Sequence, residues 1–296
     1  MLGRITQRSI AATALTNLQN NQARSAKLQE QITSGTSLSK GSDDSVRAAA
    51  ALRLNDQIAV NTENSRNLQE ARGWMTTQEP ALQSTSDALK FIRGLVVQAG
   101  NGSLDANGLK AIAAQIDEAK GTILGDANTQ YQGRAVFAGT SATTVAYATS
   151  APYTSGDDGQ SVERLISPGV TMTVNVSGKD VYGDGTANVF RELDDIVTSL
   201  KAGDATAATA SLSKIDARIN VTSNAMALIG AKTNQLDHAE DVNTNQLQYL
   251  QGQLDDVQGV DPMKAYLEYT QQSVAYQAAL QVTAKTVQSS LLDFLR

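Results

Sequence analysis

LSKIDARINVTSNAMALIGAKTNQLDHAEDVNTNQLQYLQGQLDDV, Leu212 to Val257, keeps one spacing throughout, alternating steps of three and four residues. The positions are Leu212, Ile215, Ile219, Thr222, Met226, Ile229, Thr233, Leu236, Glu240, Asn243, Leu247, Leu250, Leu254 and Val257, and ten of the fourteen are apolar. A seam of this kind, held for more than six heptads, is too long for an ordinary globular helix. At 1.5 Å per residue it predicts a helix roughly 70 Å long. A single helix cannot bury such a stripe, so it needs a long partner. Leu68, Met75, Leu82, Leu89 and Val96 recur every seventh residue in the other half of the chain, with Ala71, Ile92 and Ala99 between them. The fold expected is mainly α: an elongated rod of long antiparallel helices from the N- and C-terminal halves, with a small β-rich insert.

The remaining elements follow from punctuation. A helix from Ile5 to about Ser34 carries Ile10, Leu15, Leu18, Leu28 and Ile32 on one face and stops at Ser34-Gly35-Thr36. Ser42 reads as the N-cap of the next helix, with Asp43 and Asp44 in its first turn, where carboxylates meet exposed N–H groups. That helix runs to Ala99, with a kink or brief restart expected at Pro80. A third runs from about Asp105 to Tyr131. Val136-Phe137, Val145-Ala146-Tyr147 and Val170 to Val176 have strand composition, separated by turns at Gly156-Asp157-Asp158-Gly159, Pro168-Gly169 and Gly183-Asp184-Gly185. Helix resumes near Ala187 and pauses at Gly203-Asp204. Asp261-Pro262 opens a last helix, Asp as N-cap and Pro first inside, whose stripe is Leu280, Ala284, Val287, Leu291 and Phe294. Three domains are expected: residues 1–42 with 259–296, terminal helices; 43–132 with 187–258, the rod; and 133–186, the β-rich part.

Composition narrows the function. Of 296 residues, 18% are charged and the net charge is −6, which opposes nucleic acid and anionic membrane surfaces alike. No stretch approaches the ~20 apolar residues of a membrane span, and the N-terminus leads into no apolar signal segment. There is no cysteine, hence no disulfide scaffold or thiol nucleophile, and its absence suits a chain exported unfolded. His238 is the single histidine; without partners it reads as solvated or as a subunit contact. Asp157 and Asp158 lie in a glycine turn without the ligand ladder of a calcium loop. No phosphate loop, zinc-protease motif or hydrolase elbow occurs. No catalytic residue, cofactor or metal is therefore expected. The terminal helices are short of apolar residues for their length, so Ile10, Leu15, Leu18, Leu28, Ile32, Leu280, Val287, Leu291 and Phe294 are candidate subunit-interface residues rather than a monomer core.

Five blocks add a resemblance. They are Ile32-Thr33-Ser34-Gly35 with Gly41-Ser42-Asp43-Asp44; Ile92 to Gly102; Ala127-Asn128-Thr129 with Gly133 to Thr140, including Phe137-Ala138-Gly139-Thr140; Phe190-Arg191-Glu192-Leu193 to Asp204; and Val260-Asp261-Pro262 through Leu280 with Ser290 to Leu295. Together they resemble the flagellin-like family of bacterial flagellar axial proteins, most closely its hook–filament junction members. Gly41 and Ser45 stand where that family often has prolines, and Gly94 where it usually has Glu. The resemblance implies a non-enzymatic structural subunit that joins hook to filament as a ring of copies of itself. It implies export without a cleaved signal peptide to an extracellular place in the flagellum. Its implied partners are the other hook-associated junction protein, flagellin and an export chaperone. The terminal helices would form an inner tube, with the β-rich part outside. A short flagellin, and a helical rod effector or adhesin secreted by a type III system, are the competing readings.

Overall fold

The computed structural model describes residues 2–38, 40–42, 44–102 and 104–294, and for 2–8, 10, 11 and 285–294 the backbone alone. Asp43 and the side chains of Ile10, Val287, Leu291 and Phe294 lie outside the described residues. In chain order the elements are α1 (Leu2–Ser34), α2 (Ser45–Gly100), α3 (Ala106–Ala127), β1 (Gln130–Tyr131), β2 (Arg134–Ala135), β3 (Glu163–Ser167), β4 (Val170–Thr173), α4 (Gly178–Tyr182), α5 (Val189–Lys201), α6 (Ala205–Ala210), α7 (Leu212–Gln258) and α8 (Pro262–Phe294). They form two compact units, Met1–Ala59 with Leu247–Arg296 (unit 1) and Val60–Gln246 (unit 2).

The seam is real. All fourteen positions from Leu212 to Val257 are buried or half-buried, and as far as Leu250 every second one (Ile215, Thr222, Ile229, Leu236, Asn243, Leu250) is buried. One heptad row points into the core and the other runs along its edge. In unit 2 the partner is α2, where Leu68, Ala71, Met75, Leu82, Leu89, Ile92, Val96 and Ala99 are all at most 1% exposed. The pairing is antiparallel: Arg93 Nε donates to Asp216 Oδ1 at 2.6 Å, Thr233 lies against Met75 Sδ, and Arg72 forks onto Glu240 at 2.7 and 2.9 Å and onto Asp237. These ion pairs are half-exposed and fix alignment more than they add stability.

Pro80 does not restart the helix; α2 is continuous from Ser45 to Gly100. The proline is exposed, so the carbonyl it frees one turn back faces water, while Gln78, Ala81 and Leu82 around it are buried against the core. The N-cap also differs from expectation. Helix α2 begins at Ser45, and Asp44 caps it, its Oδ1 accepting from Val46 N at 3.1 Å and Arg47 N at 3.0 Å. Ser42 lies in the preceding turn. At the start of α8 the expected arrangement holds: Asp261 Oδ1 accepts from Met263 N and Lys264 N, with Pro262 first in the helix.

Helix α3 stops at Ala127, short of Tyr131, because Asn128 is used elsewhere. Its side chain bonds both backbone groups of Tyr147, at 2.8 and 2.9 Å. Gln132 (φ 50°) and Gly133 (φ 78°) then close the two-residue turn between β1 and β2, the pair of positive φ values that a tight hairpin requires. Val136-Phe137 is not a strand, and Val145–Tyr147 makes a single bridge, Tyr147 to Ser155. The other hairpin pairs β4 with β3, a strand whose mixed composition gives no alternating signal, around Pro168-Gly169. Beyond Thr173 the ladder continues through a side chain, Asn175 Oδ1 accepting from Val162 N at 2.8 Å.

Helix α3 packs on α5, and Lys120 ties them, donating to Asp194 at 2.5 Å. Arg218 of α7 grips Glu192 of α5 through two hydrogen bonds, 3.0 and 3.1 Å. The core of unit 2 ends in an aromatic knot of Phe137, Tyr147, Tyr153, Tyr182 and Phe190, with successive ring centroids 5.2–6.1 Å apart.

Leu82→Ala, at a fully buried seam position, should cost about 2–5 kcal/mol in urea unfolding followed on unit 2, whereas Val97→Ala, on the exposed face, should stay within about 0.5 kcal/mol.

Candidate assembly surface

Unit 1 is built mainly from two long helices, and few of its described side chains are buried. Among its described side chains only Ala51, Leu250 and Ala265 are buried apolar groups. Leu18, Leu28 and Ile32 of α1 are half-buried against α8, while Leu15 is 57% exposed. On α8, Leu267 is 57% exposed, Val274 and Val282 65%, and Leu280 41%. The structure therefore puts Leu18, Leu28 and Ile32 on the inner side of the pair and leaves Leu15 and Leu280 in solvent. The described bonds between the two helices are polar, Gln272 Nε2 donating to Asn21 O and Oδ1 at 3.3 and 3.1 Å. Long helices hold their shape through tertiary packing, and this pair supplies little of its own.

Charge separates the units as sharply as packing does. Unit 1 holds 10 Lys and Arg against 9 Asp and Glu, and unit 2 holds 14 against 21. A nearly neutral, apolar-stippled surface is inexpensive to desolvate against a neighbour; an acidic one is not.

What ties unit 1 together is backbone stitching where the two halves of the chain meet. Gly35 takes φ +70° just past α1, the left-handed residue that closes a helix. Val260 N then donates to Gly35 O at 3.2 Å, and Ser37 N to Gln258 O at 2.7 Å. Arg47, in the first turn of α2, reaches the C-terminal end of α7. Its Nε donates to Val257 O at 2.8 Å, and its Nη2 to the same oxygen and to Ser37 Oγ at 2.9 Å. A helix leaves its last carbonyls unpaired and partly negative, and a guanidinium satisfies both needs. Sequence reading missed Arg47; only its place after the SDD block could have pointed to it.

The Phe137-Ala138-Gly139-Thr140 block lies in unit 2. Phe137 and Ala138 are fully buried. Gly139 (φ +64°) passes so close to the Asp157-Asp158 turn that a Cβ would meet Asp158 Oδ1 at 2.1 Å. The two carboxylates are taken up by the chain: Asp158 accepts from Thr140 N and Oγ1, and Asp157 from Ser177 Oγ at 2.6 Å, Lys179 N at 3.0 Å and Gly159 N at 2.8 Å. The Thr140 hydroxyl and the Gln160 N–H hold the Asp158 carboxyl below its ordinary range. His238 is exposed on α7, next to the Asp237 that pairs with Arg72. Among the described residues no three His, Cys, Asp or Glu gather as metal ligands, and no helix is long and apolar enough to cross a membrane.

Long paired helices, with a nearly neutral unit at the chain ends in which few of the described side chains are buried, are the arrangement of a mainly helical protein. The bacterial flagellin N-terminal helical region matches residues 5–142 and the bacterial flagellin C-terminal helical region residues 212–295. The chain belongs to the bacterial flagellin family. A flagellin of Bacillus subtilis is 28% identical over 308 residues, 99% of this chain and 100% of that one. A flagellar hook-associated protein 3 of Escherichia coli is 24% identical over 285 residues, covering 88% and 89%. The solved structure of a putative flagellar hook-associated protein from Vibrio parahaemolyticus has the same fold, with a TM-score of 0.68 at 23% identity over 73% of this chain and all of that one. Bacillus cereus FlgL gives 0.60 at 21% identity, over 69% and 99%.

Arg47→Ala should cost about 1–3 kcal/mol, confined to unit 1; hydrogen exchange should quicken in α1 and α8 amides while the seam amides of unit 2 keep their protection. Asp126 offers a pH test. Burial pushes its carboxyl above the ordinary range, against the pull of the Ser84 and Thr85 hydroxyls. The folded state therefore holds that proton to higher pH than the unfolded one, and stability falls as pH rises through the window between the two values. Asp126→Asn should be the more stable protein near neutral pH, with its advantage in melting temperature shrinking as the pH drops below the ordinary aspartate range.

Proposed function

We propose that this chain is a junction subunit of the bacterial flagellum, a structural adaptor that joins hook to filament as a ring of identical copies. The observation that carries the assembly reading is the state of unit 1: three buried apolar groups among its described side chains, and Leu15, Leu267, Val274, Leu280 and Val282 exposed. The Phe137–Thr140 block supports a junction role over a filament role, as does the likeness to a hook-associated protein 3 across 88% of the chain. In this reading the chain is exported unfolded, without a cleaved signal peptide, to the extracellular axial structure. Its neighbours there are copies of itself, the other hook-associated junction protein and flagellin, and a chaperone holds its C-terminal region before export. It carries out no catalysis. The 28% identity to an entire flagellin favours a second reading, a short filament subunit.

Deleting the gene separates the two. A junction role requires bare hooks with flagellin released into the medium; a filament role requires bare hooks with no flagellin released. The interface is tested by Leu15→Asp with Leu280→Asp. Both side chains are exposed in the monomer, so its melting temperature should hardly change. In a dry subunit contact the two carboxylates would cost several kcal/mol, so filaments should fail although the variant is secreted. A lowered monomer melting temperature with normal filaments would assign the stripe to the monomer's own core.

A further inference from the structure

Four buried side-chain polar atoms have no hydrogen-bond partner among the described residues, and three of them fall in one cluster: Trp74 Nε1, Gln78 Oε1 and Arg134 Nε. Trp74 and Gln78 stand one turn apart on α2, 3% and 0% exposed. The orientation of the Gln78 amide is set by its nitrogen, which donates to Val136 O at 2.8 Å, so Oε1 is the free acceptor. Two residues before Val136, the Arg134 guanidinium lies over the Trp74 ring, its Cζ 5.7 Å from the centroid. Its Nη2 is engaged with Thr140 O at 3.0 Å and Ser141 O at 3.5 Å. The Tyr131 ring meets Trp74 edge-on at 6.0 Å, and its hydroxyl rests on Gly73, where a Cβ would come within 2.2 Å.

Two donors and one acceptor thus belong to neighbouring side chains around the Trp74 ring. Each would carry the full cost of lost hydration if left unpaired. A direct bond from Trp74 Nε1 to Gln78 Oε1 would still leave Arg134 Nε without a partner. One water molecule satisfies all three, and about three bonds is what buried waters commonly make. We propose that this cluster is a binding site for a single buried water, which accepts from Trp74 Nε1 and Arg134 Nε and donates to Gln78 Oε1. The water joins the long helix α2 to the segment that leads into Phe137–Thr140, a link that no direct side-chain bond of Trp74 provides.

Trp74 is the only tryptophan, so its indole N–H gives one resonance in the ¹⁵N-labelled full-length chain. We expect a rotating-frame cross-peak from that proton to water, with the sign of a long-lived contact and opposite to that of chemical exchange. A high-resolution crystal structure should show one ordered water within about 2.7–3.2 Å of at least two of the three atoms. Gln78→Met removes the acceptor and should abolish or strongly weaken the cross-peak; Arg134→Met, at a half-buried residue, tests the same water should Gln78→Met fail to fold. A resolved indole resonance with no water contact would overturn the site, as would density showing Trp74 Nε1 directly on Gln78 Oε1 with no water between.

Discussion

A stripe of apolar side chains three and four residues apart cannot remain in water, and everything else in this chain follows from how that stripe is covered. Along α2 and α7 of unit 2 each helix covers the other, with α3, α5 and the aromatic knot completing the enclosure. Met75, Leu82, Leu89, Ile92 and Val96 lose essentially all contact with solvent there. At ~25 cal/mol per Å² of apolar surface removed from water, such positions dominate the stability of the unit. In α1 and α8 apolar residues are present, but among the described side chains Leu15, Met263, Leu267, Val274, Leu280 and Val282 stay exposed, and the cover is left unfinished. The difference between the two units is one of cover: in unit 2 the row meets apolar partners, and in unit 1 much of the described apolar surface faces solvent.

This explains which parts of the structure are legible from sequence. The heptads read correctly at all fourteen positions of α7, including Thr222 and Asn243, which only the spacing and not their chemistry marks as buried. Periodicity is a property of a whole row, so a polar member does not hide it. Helix ends read well where one residue does the work, as at Gly35 and at Asp261-Pro262. They read poorly where two residues compete for the role: Ser42 and Asp44 are both good N-caps, and tertiary contacts chose the second. With α2 started at Ser45, Arg47 comes onto the end of α7.

The middle of the chain is where local pattern fails, and the reason is physical. Strand composition at Val136-Phe137 and Val145–Tyr147 signals side chains that want burial, and all of them but Val145 are buried. Their backbones, however, are satisfied by side chains and by isolated backbone bonds, such as Val136 N to Thr129 O and Gly156 N to Ala146 O, rather than by extended strand ladders. Asn128 serves Tyr147, Gln78 serves Val136, Asn175 serves Val162, and Asp157 serves the start of α4. Each is a long-range pairing of a polar side chain with a peptide group, and no spacing rule announces it. The result is a segment with a buried core and, among the described residues, two short hairpins.

The same reasoning bears on why the ends of the chain need not be stable alone. A subunit that must pass an export channel unfolded and fold again at its destination gains nothing from a terminal pair with a full core of its own. Adding Leu or Ile along α1 and α8 would stabilise the free monomer, but it would also turn those side chains inward, away from the neighbours that the proposed ring requires. The nearly neutral charge of unit 1 fits the proposed ring, since close packing of many copies penalises like charge, while unit 2 carries the acidic balance. In unit 1 the exposed positions of Leu15, Val274 and Leu280 leave them free of the monomer's own core, which is what the proposed ring asks of them.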